Sequence, residues 1–266
     1  MEEETRCEIQ TCEMRHGSLF TGIGGFDLAV EWMGWENVFQ VEWDGFCQKV
    51  LAKNFPNVKR YGDIKEFDGT KYRGLIDIIS GGFPCQPYSL AGKRKGKADD
   101  RHLWPEMLRT IREIQPSWVV GENVPGIINW SRGLVFHEVQ VDLENQGYKI
   151  FPCILPACSV NAPHRRDRTW FIAYSDSFRR KTIQSENDNI KERNLQNKER
   201  SSFHMGSCFT LFDEKRERLY ESGICGTNDG ISERMDRLTA TGNAVVPQIV
   251  YQIFKAIEDY ERTTTI

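Results

Sequence analysis

The residues best equipped for chemistry in this 266-residue chain are one cysteine, one glutamate and two arginines: Cys85, Glu122, Arg166 and Arg168. Cys85 stands in Gly81-Gly82-Phe83-Pro84-Cys85-Gln86-Pro87. The glycines let the backbone turn tightly there, and Pro84 biases Phe83 away from helix, so the thiol is held out at a strand end. A thiol in that position is a candidate nucleophile once deprotonated, whereas a lone cysteine elsewhere is by default core filler. Glu122 follows the apolar run Ser117-Trp118-Val119-Val120-Gly121. A strand-tip carboxyl near a cysteine can donate a proton or anchor a substrate ring, and on position alone a solvated loop carboxylate fits as well. Arg166 and Arg168 follow Asn161-Ala162-Pro163-His164-Arg165 and suit phosphate or carbonyl binding.

A second set of residues describes a binding pocket. Gly17-Ser18-Leu19-Phe20-Thr21-Gly22-Ile23-Gly24-Gly25-Phe26 reads as a short strand, a glycine turn and the start of a helix. Glu42-Trp43 ends a second strand and Gly62-Asp63-Ile64 ends a third. A carboxylate at such a tip accepts hydrogen bonds from ribose hydroxyls, and an adjacent tryptophan can lie against a purine. The glycine turn contains no basic residue, so the pattern suits an adenosine-like ligand without a pyrophosphate. Downstream of Cys85, Tyr88 to Arg101 is basic and punctuated by glycine, which fits a solvated charge run or, favoured by its place beside Cys85, a lid that closes over a polyanion.

The elements that must position these groups alternate between strand and helix. Apolar runs at 17–20, 38–41, 58–61, 75–80, 117–121, 148–155 and 169–173 predict strands. Helical periodicity covers 27–34, 44–54, 103–114, 134–146 and 248–260. The expected fold class is α/β, with the chemistry at the carboxyl ends of parallel strands. Residues 175–200 are rich in Ser, Asn, Gln, Lys, Arg and Glu, too polar to build much core, and partial disorder is expected there.

Composition excludes several alternatives. A net charge of -3 gives no global attraction to nucleic acid, so such contacts must come from local basic patches. The acidic opening Met1-Glu2-Glu3-Glu4 is no signal segment, and the eight cysteines are expected to stay reduced in a cytoplasmic protein. No apolar run is long enough to span a bilayer. Cys7, Cys12 and His16, or Cys153 and Cys158, are loosely spaced like metal ligands, but neither set is complete and no metal is expected.

Taken in order, Phe20-x-Gly22-x-Gly24, Glu42-Trp43, Gly62-Asp63, Gly82-Phe83-Pro84-Cys85-Gln86, Glu122-Asn123-Val124, Arg166-x-Arg168 and Gly242-Asn243-Ala244-Val245-Val246-Pro247 resemble the cytosine-5 DNA methyltransferases. The resemblance covers 17–173 and about 234–260 and implies a Rossmann-like, S-adenosylmethionine-dependent sheet with helices on both faces and a small, irregular target-recognition region. It implies methyl transfer to carbon 5 of a flipped-out cytosine in double-stranded DNA through a covalent Cys85 adduct. Glu122, Arg166 and Arg168 would complete the catalytic set. Phe20, Gly22, Gly24, Glu42, Trp43, Asp63, Ile64, Leu103, Asn243 and Val245 would contact the cofactor, with Glu42 on the ribose and Asp63 on the adenine amino group. Pro84, Gln86, Ser89, Arg101 and Asn123 would face the substrate.

The implied division is an arm at 1–15, a catalytic and cofactor-binding domain at 16–173, a target-recognition region at 174–233, and a segment at 234–266 that returns to the catalytic domain. The protein is expected to act as a monomer, alone or with a cognate restriction endonuclease. Two departures from the family pattern are His164 in place of Gln and Thr241 in place of an apolar residue. The alternatives are a tRNA cytosine-5 methyltransferase, suggested by Cys208-Phe209-Thr210, and a non-catalytic nucleic-acid-binding relative.

Overall fold

Arg15–Leu19 (β1) is the strand from which the sheet grows in both directions. On one side it pairs in parallel with Glu36–Val41 (β2), which pairs with Lys59–Tyr61 (β3). On the other it pairs in parallel with Ile78–Gly81 (β4), followed by Trp118–Asn123 (β5). The computed structural model describes residues 13–84, 103–175, 177 and 240–264. Two further strands complete the sheet: Lys149–Pro156 (β6) at the edge, and Asp167–Tyr174 (β7) between β5 and β6 and antiparallel to both. The order of the seven strands is β3-β2-β1-β4-β5-β7-β6. The chain reverses its direction of growth between β1 and β4, and a crevice for ligands opens at the carboxyl ends of strands at such a point.

Helices cover both faces, as a Rossmann-like sheet requires. Gly25–Met33 (α1) and Pro247–Thr264 (α5) pack with Ile78, Trp118, Val120, Trp170 and Ile172. Trp104–Ile114 (α3) and Leu134–Asn145 (α4) pack on the other face with Leu19, Phe39, Ile79, Val119 and Phe171. Gly45–Asn54 (α2) joins β2 to β3 and is capped by Asp44, whose carboxylate accepts from Cys47 N–H at 2.9 Å. Strands covered on both sides read as unbroken apolar runs, which is why Ile78-Ile79 and Trp118-Val119-Val120 stand out. Burying side chains of that size stabilises the fold by about 1.5–3 kcal/mol each. At the far end of α5, Trp118 Nε1 donates to Glu261 at 2.8 Å and the Tyr260 ring meets the Trp118 ring edge-on, which fastens the last helix to β5.

A polar seam crosses this apolar interior. His16 is fully buried, with Nε2 2.7 Å from Ser80 Oγ and Nδ1 2.9 Å from Asn37 Oδ1. Asn37 donates to the Asp27 carbonyl at 3.0 Å, and Gln40 donates to the Asp27 carboxylate at 2.9 Å. Burial lowers the His16 pKa to about 4, so the ring is neutral and tied to two strands rather than presented to a metal. Cys47 and Cys158 are free thiols, and no described helix is long and apolar enough to cross a membrane.

The glycine turn after β1 carries a strict steric demand. Gly24 has φ +91, and a Cβ there would stand 2.5 Å from the Phe55 ring. Gly24→Ala is expected to lower stability by about 1–3 kcal/mol through backbone strain and displacement of Phe55, measured by urea denaturation.

Candidate active site

Three adjacent strand ends build one half of the site. After Leu19 the chain passes through Phe20 at φ 51, then Thr21, whose N–H donates to Val41 O at 3.2 Å, then Gly22. Gly22 N–H donates to Glu42 Oε2 at 2.6 Å, and Glu42 Oε1 accepts from Asp44 N–H at 2.8 Å. Glu42 thus joins the turn after β1 to the end of β2. Burial raises its pKa, opposed by these backbone hydrogen bonds. Trp43 beside it is 80% exposed. At the end of β3, Asp63 caps a short 3-10 turn at Ile64–Glu66, accepting from Lys65 N–H at 2.9 Å, while Ile64 is buried beneath.

These residues fit S-adenosylmethionine. A Cβ on Gly22 would meet nothing within 4 Å, so the backbone there is open to a ligand. The Glu42 carboxylate borders that opening, the exposed Trp43 indole and the Asp63 carboxylate follow the ends of β2 and β3, and the turn carries no cation to attract phosphate.

The other half of the site is built on β4, β5 and β7. β4 runs through Gly82 and Phe83 to Pro84. Phe83 is buried against the Trp104 ring at 5.0 Å and the Phe171 ring at 6.1 Å, and its carbonyl accepts from Asn123 Nδ2 at 2.9 Å. Leu103 N–H donates to Pro84 O at 3.3 Å, which ties the amino end of α3 to the turn after β4. Cys85, Gln86, Ser89 and Arg101 lie outside the described residues, as does the proposed lid. Cys208-Phe209-Thr210 and nearly all of the region at 174–233 lie outside them too.

Glu122 is a strand residue rather than a loop carboxylate. It pairs with Trp170 across β7 and is only 8% exposed. Because β7 runs against β5, its first residues arrive at the edge where β4 and β5 end, and Arg168 Nε stands 2.8 Å from Glu122 Oε1. Gly82 leaves room for the carboxyl group, since a Cβ there would lie 3.2 Å from Glu122 Oε2. Burial raises the Glu122 pKa to about 7, against the pull of Arg168 and Arg166. A carboxyl so poised can hold a proton near neutral pH and give it up to a base.

The two arginines take different places. Arg166, at φ 36, donates through Nη2 to Gly242 O and Ala244 O, each at 2.6 Å. Burial, with repulsion from Arg168, lowers its pKa. The segment that it holds carries Asn243, which is exposed, and Val245, whose carbonyl oxygen would be 2.7 Å from a Cβ on Gly25. Arg166 thus holds this segment, which lies close against Gly25 at the start of α1. Leu103 sits half-buried at the amino end of α3.

Comparison with known proteins points to one family. The model of the C-5 cytosine-specific DNA methylase family matches residues 14–222. The type II methyltransferase M.Eco47II of Escherichia coli is 38% identical over 159 residues, 58% of this chain and 38% of that protein. M.HhaI of Haemophilus parahaemolyticus is 34% identical over 170 residues, 64% of this chain and 51% of that protein. The matched stretches therefore span about half or less of those relatives. The methyltransferase EhMeth of Entamoeba histolytica shares the fold, with a TM-score of 0.62, 17% identity, and coverage of 93% of this chain and 98% of that one.

Proposed function

The chain belongs to the C-5 cytosine-specific DNA methylases, and from that premise we propose that it methylates carbon 5 of a cytosine flipped out of double-stranded DNA. The observation that carries this reading is the pair of buried Glu122 and half-buried Arg168, 2.8 Å apart at the strand ends beside the turn that leads into Cys85. S-adenosylmethionine supplies an electrophilic methyl group on a sulfonium. Glu42 would hold its ribose, Asp63 the adenine amino group, and the Asn243–Val245 segment its other end.

The protein's own residues then have defined work. The Cys85 thiolate adds to carbon 6, which makes carbon 5 nucleophilic. Glu122 hydrogen-bonds ring nitrogen 3 and the exocyclic amino group, and with Arg168 stabilises the charge that develops on attack. After methyl transfer a solvent base takes the carbon 5 proton, the carbon 5–carbon 6 double bond re-forms, and the carbon 6–sulfur bond breaks to release the Cys85 thiolate. The protein acts in the cytoplasm as a monomer, with or without a cognate restriction endonuclease.

Tritiated S-adenosylmethionine offered with mixed-sequence duplex DNA and with tRNA tests the reading. Label is expected in the DNA alone, at cytosine. Label confined to tRNA would overturn it, and label in neither, with cofactor still bound, would point to a non-catalytic relative.

A further inference from the structure

Among the described residues without an assigned role, Arg109 on α3 is a polar side chain with partners both on and off its helix. Glu106, Arg109 and Glu113 share one helical face at spacings of three and four. Arg109 Nε donates to Glu106 Oε2 at 2.8 Å and Nη1 to Glu113 Oε1 at 2.7 Å. The rest of the guanidinium reaches off the helix: Nη1 donates to Phe67 O at 3.0 Å and Nη2 to Ile64 O at 2.7 Å. Glu113 Oε2 accepts from Gly69 N–H at 2.9 Å, where a Cβ on Gly69 would crowd that oxygen at 2.9 Å.

The stripe therefore grips three main-chain groups of one segment: two carbonyls and an amide between Ile64 and Gly69. Ion pairs on an open helix face contribute little. This side chain is only 33% exposed, and its planar fork spans two carbonyls and two carboxylates at once, which an ammonium cannot do. The segment it holds begins at Asp63, whose exposed carboxylate caps the turn, and at Ile64, which is buried under it.

We propose that Arg109 is a positioning residue for the purine end of the cofactor. It fixes the Asp63–Ile64 turn against α3 so that the Asp63 carboxylate meets the amino group of adenine. The proposal rests on the S-adenosylmethionine reading and adds a residue that itself touches neither cofactor nor base.

Calorimetric binding of S-adenosylhomocysteine and of its inosine counterpart, without DNA, tests this. The inosine form lacks the amino group, so the wild type is expected to prefer the adenine form about tenfold, the scale of one charge-assisted hydrogen bond. Arg109→Met is expected to bind S-adenosylhomocysteine about tenfold more weakly and to lose the preference. Arg109→Lys, which keeps the charge but not the fork, should fall between them, and it carries the test if the methionine variant does not fold. A folded variant that binds both nucleosides more weakly with its preference intact would mark a purely structural role and overturn the proposal. So would a wild type without the preference, which leaves the cofactor reading standing. A wild type that binds neither nucleoside overturns both.

Discussion

Cys85→Ala is expected to abolish methyl transfer, by more than about 10⁴-fold, the scale on which loss of a covalent nucleophile acts. Carbon 5 of cytosine does not attack an electrophile until a nucleophile has added to carbon 6, so no weaker version of the same route remains. The described structure leads directly to this residue. Phe83 is locked by aromatic packing and by Asn123, and Pro84, the residue before Cys85, is tied through its carbonyl to Leu103 N–H. Binding of S-adenosylhomocysteine should be unchanged, since no cofactor contact is assigned to Cys85. DNA synthesised with 5-fluorocytosine throughout gives a positive test that needs no knowledge of the recognised sequence. Fluorine cannot leave carbon 5 as a proton does, so the wild type should yield a protein–DNA adduct that survives denaturing electrophoresis, and Cys85→Ala none. Turnover on ordinary cytosine without a trapped adduct would refute the thiolate mechanism.

Glu122→Gln should lower kcat by about 10²–10³-fold, the usual consequence of removing one preorganised transition-state partner, while cofactor affinity holds. Equal loss of both would place Glu122 among the structural residues. The same variant has a signature in stability. Burial raises the Glu122 pKa from 4.5 to about 7, so between those values the folded protein keeps a proton that the unfolded chain has released. Stability from this group is therefore lost as pH rises through that window. Glutamine carries no such dependence. The melting temperature of Glu122→Gln minus that of the wild type should thus increase between about pH 5 and about pH 8. A flat difference would mean that Arg168 keeps the carboxylate ionised throughout.

Much of this was legible in the residues because it is local. The apolar runs that become β1, β4 and β5 are covered on both faces, and the glycine turn after Leu19 has a backbone conformation that its residue types announce. Glu122 was open to two readings, because nothing adjacent to it in sequence reports that β7 will cover it. That strand's direction was the missing fact. Thr169-Trp170-Phe171-Ile172-Ala173 is equally apolar read either way, yet only the antiparallel arrangement carries Arg168 to Glu122. The arginine pair divides its labour for a related reason. Arg166 is bonded to main-chain carbonyls at Gly242 and Ala244, and a main-chain acceptor leaves no residue type to recognise. Arg109 escaped for the same cause: the spacing from Glu106 and Glu113 reads as ordinary helix-surface ion pairing, and its carbonyl partners become visible only in three dimensions.

The polar seam through His16 bears on how the chain avoids wrong answers. A strand slipped by one residue turns all its side chains to the opposite face, and the central strands here are apolar on both faces, so hydrophobic burial alone penalises such a slip weakly. His16 spans β1, β2 and β4, with Asn37 on one ring nitrogen and Ser80 on the other, beside a register irregularity at His16/Gly17. Any displacement leaves a buried imidazole and hydroxyl and a half-buried amide without these partners, which costs more than the two bonds contribute when made. The seam adds little net stability, but it singles out one alignment of β1 with its neighbours. The crevice between β1 and β4 depends on that alignment, because it sets the glycine turn level with the strand end that leads to Cys85.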